Sequence, residues 1–445
     1  MSDSESTGSA DVVVIGAGAA GLTAARMLAR AGLAVELLEA RPRVGGRVLA
    51  LQDAAGHPIE LGAEFVHGRP EATLRLVEEA GSSIVPGPAS HWAGRDGKLV
   101  PADDVLQGVQ QLIRQAEGIG EELSVAMFLA RFAGNESLRP AVEWTRMMVE
   151  GFDAADPARA SLKAIVEEWT GGEVVPRPPG RPAGGYGRLL QSLADSVKSA
   201  GVRLRLDTVV QVVSWKEDEV IVEASTESVP YRVRARRAVA TLPVGVLQAA
   251  PGQAGAVRLS PGLESKQKAL DHLIMGPVLR VVLRFREPFW ETIAAGRYRD
   301  VAFFHAPEAE VPTFWTALPD RVPILTAWTG GPSAGRLSEA DDAGIVQAAV
   351  RGAEMLFGAE ARIRELLADA HTHNWQRDPF ARGAYSYLAV GGLGARTALA
   401  VPLANTLFFA GEATSERQSG TVGGALAAGE AAARAVLTSL EKRAD

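Results

Sequence analysis

The chain has 445 residues and a formal charge of −7, with 47% hydrophobic and 22% charged residues, an ordinary globular composition in a length that fits two domains better than one core. The acidic balance supplies no basic field for a nucleic-acid backbone. The absence of cysteine excludes disulfides, thiolate metal sites, cysteine nucleophiles and cofactors bonded through cysteine sulfur.

The first ten residues, "MSDSESTGSA", are polar and acidic and read as a flexible tail, without the positive start and apolar run of a secretory signal. The longest uncharged stretch, 238–257, is broken by Pro243 and Pro251, and the chain closes on the polar "LTSLEKRAD". A soluble, cytoplasmic protein with no membrane or nucleic-acid partner is the expectation.

"DVVVIGAGAAGLTAARMLARAGLAVELLEA" predicts an apolar strand, a glycine turn, an alanine-rich helix closed at Gly32 and a second strand ending at Glu39. Gly16, Gly18 and Gly21 stand in GxGxxG spacing around Ala19 and Ala20. The first glycine allows a tight turn, the second lets backbone approach a pyrophosphate, and the third lets helix and strand pack closely. Glu39 falls where a carboxylate accepts hydrogen bonds from a ribose. "ARPRVGGRV" then places Ala40, Arg41, Arg43 and Arg47 around Gly45 and Gly46, a second loop for which a nicotinamide dehydrogenase has no general need. "LGAEFVHG", with Gly62, Ala63, Glu64 and His67, returns toward the same crevice.

From about 86 to 182 the pattern is largely helical, with Trp144, Met147, Met148 and Trp169 expected in the core. "VVPRPPGRPAGGYG" is a break, followed by a helix and by alternating segments that predict an antiparallel meander. A different register begins near Leu263. His371 and His373, two residues apart on a strand, lack a supporting carboxylate or cysteine cluster, so no metal is expected. Tyr385 and Tyr387 read alone as alternating strand residues. Finally, "FFAGEATSERQSGTVGGAL" ends a strand at Gly411 and Glu412 and starts a helix near Thr421 and Val422, a second helix N-terminus able to face an anion.

Seven segments in order, "VVVIGAGAAGLTAARML", "LLEARPRVGGRV", "ELGAEFVHG", "TLPVGVL", "MGPVLRVVLRFREPFW", "NWQRDPFARGAYSYLAVG" and "FFAGEATSERQSGTVGGALAAGEAAA", resemble the flavin-containing amine oxidase family of monoamine oxidases, polyamine oxidases and lysine-specific histone demethylases. The resemblance implies a Rossmann-like α/β domain that binds FAD, assembled from 11–85, 184–258 and 398–445, and an α+β substrate domain of mixed helix and sheet from 86–183 and 259–397. It implies that both chain ends clasp one FAD. Glu412 would contact the ribityl and pyrophosphate region, the helix at Thr421 and Val422 would face the flavin's pyrimidine edge, the backbone of Val210 would hold adenine, and Leu242 would be among the cofactor-binding residues.

On the substrate side the resemblance implies that Trp375 lies beside the flavin and Tyr385 presents its ring to it. Thr421 stands where monoamine oxidases have a second tyrosine, which favours a longer or bulkier amine. Ala384 stands where those enzymes attach the flavin, so the FAD is expected to be noncovalent. His67 matches a position that is polar or ionisable in several polyamine oxidases. Arg280 replaces a lysine that holds a water near the flavin in most of these oxidases, so it would slow the reaction with oxygen or bind a substrate carboxylate, the alternative being a strand-end residue paired with a surface carboxylate. The implied reaction is hydride removal from the carbon beside an amine nitrogen, with O2 reduced to H2O2. The rival readings are an L-amino-acid oxidase, a desaturase of the same fold, and a flavin-binding interaction protein with little turnover.

Overall fold

The apolar runs Val12–Ile15 and Val35–Leu38 are buried on both faces, which is why they read as unbroken hydrophobic stretches instead of alternating ones. They lie in a five-stranded parallel sheet ordered Arg203–Arg205, Val35–Leu38, Val12–Ile15, Arg237–Ala240 and Leu407–Phe409. The computed structural model describes residues 6–52, 56–95, 97–171, 179–226 and 229–441. Residues 1–5 of the expected tail, and 174–178 of the expected break, lie outside them.

Alternate side chains of these strands serve two cores. Val12, Val14, Leu37, Val239 and Phe408 pack against the helices Ala19–Arg30, Gly185–Ser199 and Val422–Glu441. Val13, Ile15, Leu38, Ala238 and Phe409 instead face the meander of Thr208–Lys216, Glu219–Thr226 and Val229–Ala235. The meander is antiparallel, and Ser6–Ser9 joins its edge in parallel beside Val229–Ala235. Residues 6–9 are therefore a strand, not part of a tail; their backbone hydrogen bonds come from a partner more than 200 residues away.

The C-terminal helix presses closely on the start of the first one. A Cβ added at Gly429 would meet the Ala20 carbonyl oxygen at 2.3 Å, so only glycine permits this approach. Gly16, Glu39, Thr241 and Gly411 directly follow or closely trail the strand ends Ile15, Leu38, Ala240 and Phe409, and so gather at the carboxyl edge of the parallel sheet, where open α/β sheets form their crevices.

A second sheet of seven strands runs Leu367–Thr372, Val278–Phe285, Ile324–Gly330, Thr313–Thr316, Phe303–His305, His91–Arg95 and Lys98–Pro101. The last two strands correct the helical expectation for 86–182. Of the two, only His91–Arg95 pairs with the distant Phe303–His305, a pairing of which local periodicity carries no trace; Lys98–Pro101 pairs with His91–Arg95 as a local hairpin at the sheet edge. The helices Asp103–Glu117, Val125–Ala130, Arg139–Gly151 and Leu162–Thr170 follow as expected. Among the described residues, no helix is long and apolar enough to cross a membrane.

Candidate active site

A cavity of about 700 Å³ runs from the carboxyl edge of the parallel sheet to the seven-stranded sheet. Its first part is made by backbone. Gly16 adopts φ +100°, a turn that other residues rarely make, and Gly18 precedes a helix whose first N–H groups receive no side-chain cap. A Cβ at Gly18 or Gly411 would meet nothing within 4 Å. Open space over uncapped N–H donors is what a pyrophosphate requires. Gly21 does not line the cavity; its Cβ would fall 1.8 Å from the Gly16 carbonyl oxygen, so it serves the close packing of helix on turn.

Glu39 is buried behind this turn and accepts hydrogen bonds from Ala17 N–H at 2.7 Å and Arg41 N–H at 3.0 Å. Burial pushes its pKa above the ordinary range against those two bonds. Arg41 pairs with Asp378 at 2.5 Å, and the same carboxylate takes His373 at 2.9 Å, which accounts for one histidine of the HTH pair. His371 lies 3.2 Å from Asp369. Arg43 holds the second glycine loop by donating to the carbonyls of Val44, Gly46 and Val48. Ala19, Ala20, Ala40, Gly45, Gly46, Gly62, Ala63, Val210, Leu242 and Val422 also line the cavity.

Arg47 reaches across the crevice to the far end of the chain, donating to Glu412 at 2.9 Å and to the Ala384 carbonyl at 2.8 Å. Glu412 is buried and also accepts from Ser386 Oγ at 2.8 Å and Gly420 N–H at 3.2 Å. Burial would raise its pKa, but Arg47 and Arg396 outweigh that and lower it. Thr421 accepts from Gly424 N–H at 2.9 Å, which makes it the cap of the C-terminal helix.

The cavity then widens into an aromatic chamber. Trp375 is fixed by a 2.9 Å bond from its indole N–H to the Leu61 carbonyl. Tyr385 donates its hydroxyl to the Phe152 carbonyl at 2.7 Å. His67 lies between Phe65 and Phe152, with ring centroids 6.1 and 5.4 Å away, and burial pulls its pKa down to about 4. The imidazole is therefore neutral at pH 7. Trp144, Met147 and Met148, expected in the core, also face this chamber, whereas Trp169 does not.

Arg280 is 3% exposed and lines the chamber, donating one arm to the Gly62 carbonyl at 2.7 Å and the other to Glu64. Glu64 also takes Arg181 at 2.5 Å and the Trp315 indole N–H at 3.1 Å. Burial acts to raise the Glu64 pKa, but the two guanidinium groups win and lower it. The partner of Arg280 is thus a buried carboxylate in the cavity wall, which corrects the surface-carboxylate alternative. Its neighbour Glu60 is buried and pushed up to about 7, by burial against the pull of Arg280.

Sequence reading missed four ionisable wall residues. His91 and His305 hydrogen-bond ring to ring at 3.0 Å, and burial pulls His91 down to about 4 and His305 also well below its ordinary value. Asp153 and Glu168 line the chamber near Tyr385. No local signal marks these pairs, because their members stand 214 and 15 residues apart. Among the described residues, no group of three or more His, Cys, Asp or Glu could hold a metal.

A family model described as "Flavin containing amine oxidoreductase" matches residues 19–437. The chain is 29% identical, over 94% of its length, to lysine-specific histone demethylase 1 homolog 3 of Arabidopsis thaliana, but spans only 29% of that relative. It is 29% identical to polyamine oxidase 2 of Arabidopsis thaliana, covering 96% of this chain and 88% of the relative. The solved structure of cyclohexylamine oxidase from Brevibacterium oxydans IH-35A superposes with a TM-score of 0.79 at 22% identity, over 97% of this chain and 99% of that one.

The backbone cradle, the buried Glu39 and the length of the cavity fit FAD. Replacing Glu39 with alanine removes the carboxylate behind the turn. Glu39→Ala should weaken FAD binding by roughly 1.5–3 kcal/mol, the scale of a charge-assisted hydrogen bond. Equilibrium titration of the apoprotein with FAD measures this, and unchanged affinity would remove Glu39 from the cofactor site.

Proposed function

Because this chain belongs to the flavin-containing amine oxidoreductase family, we propose that it oxidises a polyamine or another long or bulky amine, using FAD held without a covalent bond. The FAD supplies a hydride acceptor for the carbon beside the amine nitrogen, the resulting imine hydrolyses to a carbonyl compound, and O2 takes up the electrons as H2O2. The observation that carries this reading is the single cavity that opens from the dinucleotide cradle directly into an aromatic chamber.

The chain's own residues bind, orient and set protonation. An alkylamine with a pKa near 10 must lose its proton before it can give up a hydride, at a cost of about 4 kcal/mol at pH 7. Walls of Phe65, Trp144, Phe152, Phe303, Trp315 and Tyr385 favour the neutral form by desolvation. His67, neutral in its apolar nest, adds no repulsive charge. Tyr385 is fixed by its bond to Phe152 and is the ring against which the substrate is oriented.

Two features favour a long amine over a small aromatic one. The Thr421 hydroxyl is used in capping the last helix, so no second tyrosine ring faces Tyr385 from that position, and the polyamine oxidase relative covers nearly the whole chain. An amino-acid substrate is disfavoured. Both terminal nitrogens of Arg280 are already committed to Gly62 and Glu64, so a substrate carboxylate would have to displace a buried partner.

Anaerobic mixing of the purified holoenzyme with mono-, di- and polyamines and with L-amino acids tests the reading through flavin absorbance. Long amines should bleach the flavin and L-amino acids should not; bleaching by amino acids alone, or by nothing in the panel, would overturn it.

The Arg280 pairing also sets an expectation for oxygen. A guanidinium held by two fixed acceptors is planar, bulky and always charged, so it cannot hold a water as a compact ammonium does. Arg280→Lys should speed reoxidation of the photoreduced enzyme at least tenfold, about 1.4 kcal/mol in barrier. Stopped-flow mixing with oxygenated buffer reads this step without a substrate, and equal rates would remove Arg280 from control of the oxygen reaction.

A further inference from the structure

Arg280, Arg181, Glu64 and Glu60 are grouped at one stretch of the chamber wall. The first three satisfy one another. Glu64 accepts from Arg280 and, at 2.5 Å, from Arg181, whose other two nitrogens donate to the carbonyls of Leu318 at 2.8 Å and Thr316 at 3.1 Å. Glu60 differs. It is 5% exposed, both its carboxyl oxygens are buried without a hydrogen-bond partner, and the Nε of Arg280 is buried and unpartnered as well. The carboxyl is pressed against the start of the helix Gly185–Ser199, where a Cβ on Gly185 would fall 2.3 Å from its Oε1. Glu60 does not line the cavity, but the next two residues do, and their carbonyls hold Trp375 and Arg280.

A charge that changes inside a low-dielectric site is compensated by whichever neighbouring group can most readily change its own. Reduction of the bound flavin adds negative charge to the cavity that Arg280 lines. Arg280 and Arg181 cannot answer it, because a guanidinium keeps its proton. Glu64 is held ionised by both of them against its burial. Glu60 can answer: burial raises its pKa, Arg280 lowers it, and the balance stands at about 7. The groups that face it are Arg280 from the strand Val278–Phe285, Glu64 from its own segment, and the Tyr186 phenol with the Tyr186 and Gly187 amides from the helix Gly185–Ser199.

We propose that Glu60 is a redox-linked proton site, which takes up a proton when the flavin is reduced and gives it up when the flavin is reoxidised. The Glu60 proton comes from solvent, in addition to the one proton that enters the flavin with its two electrons. On reoxidation O2 takes two electrons and needs two protons to become H2O2; one leaves the flavin and the other is available from Glu60. Glu60 acts through Arg280 and touches no ligand in the cavity. The inference rests on FAD binding and holds whichever amine is oxidised. Its pH window follows from the sign of the effect: added negative charge raises the Glu60 pKa, so the extra uptake opens near pH 7 and lies above it. Well below that window Glu60 is protonated in both states, and well above it ionised in both.

Redox potentiometry of the holoenzyme from about pH 5.5 to about pH 9 counts the protons taken up per electron pair, through the slope of midpoint potential against pH. The wild type should take up more than one proton within the window, and a one-unit rise in the Glu60 pKa gives about half an extra proton at the maximum. Glu60→Gln keeps the shape but cannot ionise, and should take up one proton throughout the window. The infrared difference spectrum on reduction should gain a protonated-carboxyl band in the wild type that Glu60→Gln lacks. Should Glu60→Gln fail to hold its flavin, Arg280→Gln serves: without the cation that favours its charged form, Glu60 keeps its proton to higher pH and the window should move upward. One proton per electron pair everywhere above pH 7 in the wild type, an extra proton that persists in Glu60→Gln and so belongs to the flavin, or a window unmoved in Arg280→Gln would overturn the site. A protein that binds FAD and is bleached by amines, yet shows only one proton, overturns this inference alone. A protein that binds no FAD overturns the cofactor reading and this inference with it.

Discussion

The ion pair of Arg47 with Glu412 joins side chains 365 residues apart, and the site depends on that junction. Glu412 is buried, and a buried carboxylate deprived of its partner is strongly destabilising. The structure surrounds it with Arg47, the Ser386 hydroxyl and the Gly420 N–H. Each partner lies on a different segment: the second glycine loop, the strand Tyr385–Leu388 whose first residue lines the chamber, and the turn before the last helix. One carboxylate therefore sets the distance between the cradle for a dinucleotide and the chamber for a substrate. The late strand could not reach this point from another sheet; its place beside Arg237–Ala240 and the contact of Gly429 on Ala20 hold it there.

Charge inside the cavity is distributed by partner, not by residue type. Arg280 and Arg181 neutralise each other's repulsion through Glu64, and Arg41 is spent on Asp378. The histidines at 67, 91 and 305 are kept neutral by burial. The chamber that remains is apolar and aromatic, with negative charge available only where carboxyls gather. That arrangement suits an amine that must arrive as a cation and react as a neutral molecule.

Local sequence made half of this legible. The glycine turn, Glu39 and the late strand and helix each follow from a few consecutive residues whose conformational demands are strong, such as Gly16 at φ +100°. The meander announced itself through alternation, since one face of it is buried against the parallel sheet. Ser6–Ser9 escaped because its pairing partner is remote; His91–Arg95 and Lys98–Pro101 pair with each other locally, and it is their place in the large sheet, through Phe303–His305, that depends on a remote partner. The same limit hid the Arg280–Glu64 bond, the His91–His305 bond and the Asp153–Glu168 wall: a side chain's partner across 216 or 214 residues is a property of the fold, and only the three-dimensional arrangement shows which charges are spent and which are free.

If the two ends of the chain hold one cofactor jointly, Arg47 and Glu412 are the pair that joins them. A double-mutant cycle on FAD dissociation constants, with Arg47→Ala, Glu412→Ala and the double variant, tests it most directly. If the pair acts as one unit, the double variant should lose far less affinity than the sum of the single losses, with a coupling of about 1 kcal/mol or more. Additive losses, or single variants that bind FAD as tightly as the parent, would contradict it.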